Sequence, residues 1–258
     1  MQTEMLTFGE RRIEYRFAAP ADAGGLDIVM LHEGLGSTSL WRDFPERLAA
    51  ATGCRTLVYS RLGYGRSTPL AEPRRVDYMH DEARIWLPAI LERFEIRRPV
   101  LFGHSDGASI SLIHAARPES RIAAVVALAP HVKVEDVTVR NIAEAKRAYT
   151  DTDLRQRLGR HHANVDSAFW GWNHIWLSPE FRSWNIEALL PSIRCPVLAI
   201  QGEDDEYGTL EQIASIGRAV PGASLLALPA CRHSPHRDQP EAVLDAAKAF
   251  IAALALNP

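Results

Sequence analysis

Short apolar runs alternate along this chain with stretches whose apolar positions recur every three or four residues. The runs within Leu26 to Leu31, Arg55 to Tyr59, Pro99 to Gly103 and Ile122 to Ala129 are continuous rather than alternating. That is the pattern of strands buried on both faces of a sheet. Two earlier segments, 4–8 and 11–17, flank Gly9-Glu10 and predict a hairpin, followed by a Pro/Ala/Gly loop. Leu40 to Ala51 places Trp41, Phe44 and Leu48 on one helical face. Asp77 to Phe94 predicts a helix bent or broken at Pro88. A further helix runs from Ser105 to about Ala116, where Arg117-Pro118 ends it.

Strands alternating with helices predict an α/β fold, a mostly parallel central sheet flanked by helices. The rhythm stops at Pro130. From His131 to Pro191 the chain is helical, polar and aromatic, with no buried strand, and it holds Trp170, Trp172, Trp176 and Trp184. The rhythm resumes with a strand at Cys195 to Gln201, a helix at Thr209 to Val220, a strand at Ser224 to Leu228 and a helix at Gln239 to Leu256. The expected organisation is a core of residues 1–130 and 192–258. Residues 131–191 form a helical insertion that leaves and returns on one side of the sheet.

Composition narrows the partners. With 258 residues, 47% of them hydrophobic, the chain can bury a full core, and a net charge of −3 without a long basic run argues against nucleic acid and an anionic membrane as partners. No apolar run is long enough to span a bilayer. The start, Met1 to Met5, lacks the basic flank and apolar segment of a signal peptide. Cys54, Cys195 and Cys231 are an odd number without close pairing, which fits a reducing compartment, and a cytoplasmic location is expected. Cys231, His233 and His236 lie close together but lack a second cluster, so no metal site is expected. No cofactor is expected either. A small-molecule substrate is the expected partner, and the oligomeric state is left open.

The candidate chemistry centres on Gly103-His104-Ser105-Asp106-Gly107, a G-x-S-x-G pattern between a strand and a helix. Such a turn strains the serine backbone, and its glycines let strand and helix approach closely. A serine hydroxyl needs a base to take its proton, usually a histidine oriented by a carboxylate. Candidates follow in the order serine, acid, histidine, the order that goes with this turn. The acid lies within Gly202-Glu203-Asp204-Asp205-Glu206, the histidine within Cys231-Arg232-His233-Ser234-Pro235-His236, and both segments follow strand ends. Ligands gather at that edge of open parallel sheets.

On these motifs the chain resembles an α/β-hydrolase with a cap domain, over nearly its whole length. In that pattern the acid stands three residues after a glycine, which selects Asp205 over Asp204. The histidine precedes an acidic residue and a proline, which selects His233, with Asp238 and Pro240 after it, over His236. The resemblance implies Ser105, Asp205 and His233 as a catalytic triad. It implies oxyanion donors at the N–H groups of Asp106 and of the loop His32-Glu33-Gly34-Leu35-Gly36. Distance to Trp41 selects Gly34 there, with Glu33 the other choice. Glutamate at position 33 departs from the family's H-G-x-G turn; it is either a surface side chain or a group that positions water or substrate.

The loop Gly63-Tyr64-Gly65-Arg66-Ser67 lacks a phosphate-binding lysine pattern and reads as a tight turn, with Arg61 and Arg66 as structural ion-pairing residues. Asp106 is expected to cap the helix it opens. The insertion is expected to cover the active-site mouth, with Trp170, Trp172 and Trp176, together with Glu33, His104 and His131, as possible pocket residues. His161, His162 and His174 are read as surface or hydrogen-bonded side chains. The expected activity is acyl-enzyme hydrolysis of a carboxylic ester or lactone with a small apolar or aromatic group. Alternatives are C–C bond hydrolysis of a ring-fission product, acyl-CoA thioester hydrolysis, and non-catalytic ligand binding.

Overall fold

In a computed structural model, which describes residues 3–19 and 25–256, eight strands form one sheet. They are β1 (Glu4–Phe8), β2 (Arg11–Ala18), β3 (Ile28–Leu31), β4 (Thr56–Tyr59), β5 (Val100–His104), β6 (Ala124–Leu128), β7 (Val197–Gly202) and β8 (Ser224–Leu228), in the order β1-β2-β4-β3-β5-β6-β7-β8. β1 and β2 pair antiparallel, β2 meets β4 antiparallel, and every later pairing is parallel. Most of the Pro/Ala/Gly loop expected after β2 lies outside the described residues, as do Met1 and Gln2.

The continuous apolar runs are two-sided. Val29, Leu31, Leu101, Val125, Ala127, Val197 and Ala199 enter the core on one face. Their neighbours Ile28, Met30, Val100, Phe102, Ala124, Val126, Leu198 and Ile200 enter the core on the other. Successive side chains of a strand point to opposite faces, so a strand covered on both sides has no polar position to spare.

The helices are α1 (Phe44–Thr52), α2 (Tyr78–Asp81), α3 (Leu87–Arg93), α4 (Asp106–Ala115), α5 (Asp136–Asp151), α6 (Leu154–Leu158), α7 (Val165–Leu177), α8 (Glu211–Ala219), α9 (Pro235–Asp238) and α10 (Pro240–Leu256). Two differ from the periodicity reading. The stretch Leu40 to Ala51 is not one helix: a 3₁₀ turn at Thr38–Trp41 gives way, through Arg42 at φ 53°, to α1. Pro45 explains the break, since inside a longer helix its ring would meet the carbonyl of Trp41, whereas in the first turn of α1 it costs nothing. Trp41, Phe44 and Leu48 are still buried together. At Pro88 the helix does not break; the widened π turn Glu82–Trp86 joins α2 to α3 and places the proline in the first turn of α3. The short helix α9, just after His233, was not foreseen.

After β6 the chain builds α5, α6, α7 and two 3₁₀ turns, Pro179–Ser183 and Glu187–Ser192, before β7. Its outgoing and returning limbs meet in a bridge between Lys133 and Asn185. The last 3₁₀ turn packs against α4 and α8 as the chain runs back to start β7.

The tightest crossing lies between β3, β5 and α4. A Cβ on Gly107 would stand 2.0 Å from the Leu31 carbonyl oxygen, and one on Gly103 would stand 2.4 Å from the Gly107 carbonyl oxygen. Both contacts are with backbone, which cannot swing aside. Gly107→Ala should therefore lower stability by about 3 kcal/mol. Urea unfolding measures this, and an unchanged midpoint would contradict the crossing.

Candidate active site

Ser105 sits between β5 and α4 with φ 52° and ψ −118°, a backbone conformation that a non-glycine residue adopts only under constraint. The constraint is the crossing just described, so the sequence Gly-x-Ser-x-Gly lifts the hydroxyl above the carboxyl edge of the sheet. Two loops from neighbouring strand ends meet it there. The loop after β8 brings His233 Nε2 to 2.9 Å from Ser105 Oγ. The loop after β7 brings Asp205 to His233 Nδ1 at 2.8 and 3.0 Å. Asp205 is fixed in turn: Oδ1 accepts the N–H groups of Tyr207 and Gly208, and Oδ2 accepts Gln201 Nε2. Its neighbours are used otherwise. Asp204 is exposed, and Glu206 accepts the backbone N–H of His233 and pairs with Arg232.

Electrostatics separate the two members of this pair. Burial pushes the His233 imidazole down, but the Asp205 carboxylate pushes harder in sum with Glu206 and Glu33, and its pKa is raised. Burial pushes the Asp205 carboxyl up, and contact with His233 and the Tyr207 N–H reverses this, so its pKa is lowered. The arrangement keeps Asp205 ionised and makes His233 a stronger base than a free imidazole.

Beside Ser105 lies a cavity of about 110 Å³ lined by Glu33, Gly34, Leu35, Ser105, Asp106, His131, Ile142, Trp172, Trp176, Tyr207 and His233. Among the described residues, no protein acceptor takes the backbone N–H of Gly34 or of Asp106. The loop carrying Gly34 is strongly held. The Glu33 carbonyl oxygen accepts from the Gly36 N–H, His32 Nδ1 and Arg61 Nη2. His162 accepts the Gly65 N–H at Nδ1 and donates from Nε2 to the Leu35 carbonyl, pinning the next residue. A Cβ on Gly34 would stand 2.3 Å from the Trp172 indole, so glycine there lets the ring lie against the loop.

The two acidic residues beside the turn are both tied down. Asp106 is buried, and its carboxylate does not cap α4 as expected: it accepts from Tyr78 Oη at 2.7 Å and lies 3.7 Å from Arg61 Nη2. Tyr78 Oη also accepts from Trp176 Nε1, which links the elbow to α7. Glu33 folds back over Gly36 so that Oε2 lies 3.4 Å from His104 Nδ1 and Oε1 3.5 Å from Arg237. Burial pushes its carboxyl up, but the His104 contact and Arg237 carry it well below the ordinary range. His104 Nε2 donates to the His233 carbonyl at 2.7 Å.

Of the proposed pocket residues, Glu33, His131, Trp172 and Trp176 line the cavity, and two do not. His104 lies buried behind the turn, between Glu33 and the His233 backbone. Trp170 is on the wrong face of α7. At 100° per residue, Trp172 and Trp176 share the cavity side, while Trp170 and His174 stack 5.0 Å apart on the opposite side. There Trp170 lines a larger open groove of about 620 Å³ that contains none of Ser105, Asp205 or His233. The reading of residue types missed Tyr207, Ile142 and Leu35. Tyr207 had a signal, its place two residues after Asp205; Ile142 had only the periodicity of α5. Arg61 is ion-paired, but Arg66 is exposed and makes no ion pair among the described residues. Likewise, among the described residues no group of acidic, histidine and cysteine side chains is arranged to hold a metal, and no helix is long and apolar enough to cross a membrane.

Residues 28–246 match the model of the alpha/beta hydrolase family. The chain belongs to that family. Solved structures similar to this hydrolase include an enol-lactonase from Burkholderia xenovorans, 19% identical with a TM-score of 0.76 over 96% of this chain and all of that one. An esterase from Rhodococcus sp. is 19% identical with a TM-score of 0.74, over 98% of this chain and 100% of that one. A proline iminopeptidase from Mycobacterium smegmatis is 19% identical with a TM-score of 0.73, over 99% of each chain. At these identities the likeness is of fold, and the three activities differ. A search of curated protein sequences found no match.

The buried Arg61–Asp106 pair makes a stability prediction for this hydrolase. Arg61→Met leaves a carboxylate buried without its cation and should cost about 3–5 kcal/mol. Adding Asp106→Asn should recover part of the loss. Chemical unfolding of the three proteins measures it, and a double variant no more stable than the single one would contradict the pairing.

Proposed function

We propose that this hydrolase cleaves a carboxylic ester or lactone through an acyl-enzyme on Ser105. The observation that carries the reading is the unbroken chain Asp205–His233–Ser105, with His233 Nε2 at 2.9 Å from the hydroxyl, at the wall of a small cavity. In the first half-reaction Ser105 Oγ attacks the substrate carbonyl carbon while His233 Nε2 takes its proton. The oxyanion is met by the N–H groups of Gly34 and Asp106, which have no other acceptor among the described residues. His233 then returns the proton to the leaving alkoxide, and the alcohol departs. Water repeats the sequence on the acyl-enzyme: His233 takes its proton, the carbonyl carbon gains hydroxide, and Ser105 leaves with the proton restored. Asp205 holds the imidazole with Nδ1–H toward itself, so that Nε2 is the basic nitrogen throughout.

We assign residues 131–191 as a cap on the core of residues 1–130 and 192–258. Ile142 from α5 and Trp172 and Trp176 from α7 supply its wall of the cavity. The space is that of about four waters in the liquid. It favours a small group on at least one side of the scissile bond.

Ser105→Ala should lower kcat for a short p-nitrophenyl ester by about 10⁶-fold, leaving residual turnover from binding and the oxyanion donors. Undiminished turnover would end the assignment.

The pH profile offers a second check. His233 must be neutral to accept the proton, and its pKa is raised. In the wild-type protein kcat/KM should therefore rise with pH along a limb centred above the ordinary imidazole value of about 6.5. In Asp205→Asn, burial is opposed only by Glu206 and Glu33: the limb should move to lower pH and kcat should fall by about 10⁴-fold. A wild-type limb below 6.5, or one unmoved in the variant, would contradict this role for Asp205.

A further inference from the structure

The wall of the cavity beside His233 holds two polar rings that the reaction described above does not use. His131 follows β6 and is 2% exposed, and its ring lies 5.6 Å from that of His233 and 5.0 Å from that of Trp176. Neither of its nitrogens has a hydrogen-bond partner among the described residues, although its backbone N–H and carbonyl are both bonded to Ser109. Tyr207 also lies beside the base, its ring 4.9 Å from that of His233. Its backbone is bonded to Asp205 and Thr138, while its hydroxyl bonds to no described residue. Both backbones are thus fixed, and both residues line one small cavity.

A buried imidazole without a partner is costly, because a buried donor or acceptor loses its water bonds and gains nothing in return. The cost vanishes when a ligand supplies the missing bond. We propose that His131 and Tyr207 form a polar subsite flanking the base, which takes an uncharged hydroxyl or carbonyl group of the substrate close to the scissile bond. The inference rests on the ester and lactone reading and narrows its substrate class to small hydroxylated or oxo-substituted esters and lactones.

Four observations favour an uncharged group. Burial, and next the charge of His233, hold the His131 pKa down to about 3, so the ring is neutral and can donate from one nitrogen and accept at the other. Burial, then Glu206, pushes the Tyr207 phenol up to about 12, so it keeps its proton. Among the described residues, the cavity wall holds no lysine or arginine to answer an anion. Nor is Glu33 a free counter-charge for a cation, since its oxygens already face His104 and Arg237. The remaining lining from Ile142, Trp172, Trp176 and Leu35 is apolar apart from the indole nitrogens, so an unsubstituted substrate would leave the two polar rings unpaired. A site built to bond a substrate hydroxyl rejects the analogue that lacks it, and that is how such a pair would select.

Matched pairs of esters test the subsite. On the acyl side, p-nitrophenyl lactate is compared with p-nitrophenyl propanoate. On the alcohol side, 2-hydroxyethyl acetate is compared with ethyl acetate. The wild-type protein should prefer the hydroxylated member of one pair by about 10-fold or more in kcat/KM. In His131→Phe that ratio should fall to near one, whatever happens to the absolute rates, and His131→Gln should keep part of it because the amide still donates and accepts. Tyr207→Phe should lower the same ratio. A preference in neither pair, or one that survives His131→Phe in a variant with an unchanged thermal midpoint, would overturn the subsite.

Binding separates this outcome from failure of the hydrolase reading. Lactamide and propanamide, which carry the same two acyl groups on an uncleaved amide, are compared by ligand-observed NMR. Absent turnover and absent phosphonate labelling at Ser105, with tighter binding of lactamide that His131→Phe removes, would overturn the reaction and retain the subsite. Equal binding of the two amides in that situation would overturn both.

Discussion

The site depends on a backbone strain that only close packing can hold. Ser105 at φ 52° is unfavourable by about 1–3 kcal/mol on its own. It persists because α4 starts directly against β3 and β5, at a distance where even a methyl group at position 107 would collide with the Leu31 carbonyl. Everything else in the site is referred to that turn. β3 ends in the loop that carries Gly34, β7 in the loop that carries Asp205, and β8 leads to His233, so the parallel register of the sheet brings four separate segments to one edge. A parallel sheet does this without long reach, because its strand ends lie side by side at about 4.8 Å spacing.

Close packing alone would leave those loops free to shift relative to one another, and buried charge fastens them. Asp106 is reached by Arg61 from the segment after β4 and by Tyr78 from α2, and Tyr78 is held in turn by Trp176 of α7. Arg61 also donates to the carbonyls of His32 and Glu33. One guanidinium therefore ties the turn after β5 to the loop after β3. A second connection runs from the Glu33 carboxylate past His104 to the His233 backbone. Both acidic residues beside the turn thus lie in links between loops. Loss of one partner from such a link is costly, since the remaining charge stays buried. The cost makes the relative position of the loops specific rather than merely stable.

Much of this architecture was legible in the chain. Continuous apolar runs marked the strands, because a strand covered on both faces cannot carry polar positions, and the chain order of Ser105, Asp205 and His233 drew attention to three loops that do meet. Where the reading failed, the cause was local. Helical spacing over Leu40 to Ala51 makes Pro45 an interior residue, yet it starts α1, and the bend or break expected at Pro88 is replaced by a π turn just before it that carries the helix through. Trp170 was grouped with Trp172 and Trp176 by residue type, although helical periodicity sets it on the opposite face. The contacts of Asp106 and Glu33 were not legible at all. They depend on Arg61, Tyr78, His104 and Arg237, which only the fold brings near, and no spacing along the chain encodes pairs that lie 28 to 204 residues apart.

The two histidines facing the cavity show how far environment outweighs residue type. His131 and His233 have rings 5.6 Å apart, and burial pushes both toward the neutral form. Only His233 touches a carboxylate, at 2.8 Å, and its pKa is raised while that of His131 falls to about 3. The difference is self-reinforcing. A proton on His233 is repelled by any charge on His131, so a neutral His131 removes a competitor for the Asp205 carboxylate and leaves the proton on the ring that faces Ser105. A protonated His131 would do the opposite and weaken the base. Neutrality at His131 is therefore required by the proposed chemistry at His233, and the bare imidazole that results is what gives the cavity its capacity to bond an uncharged polar group.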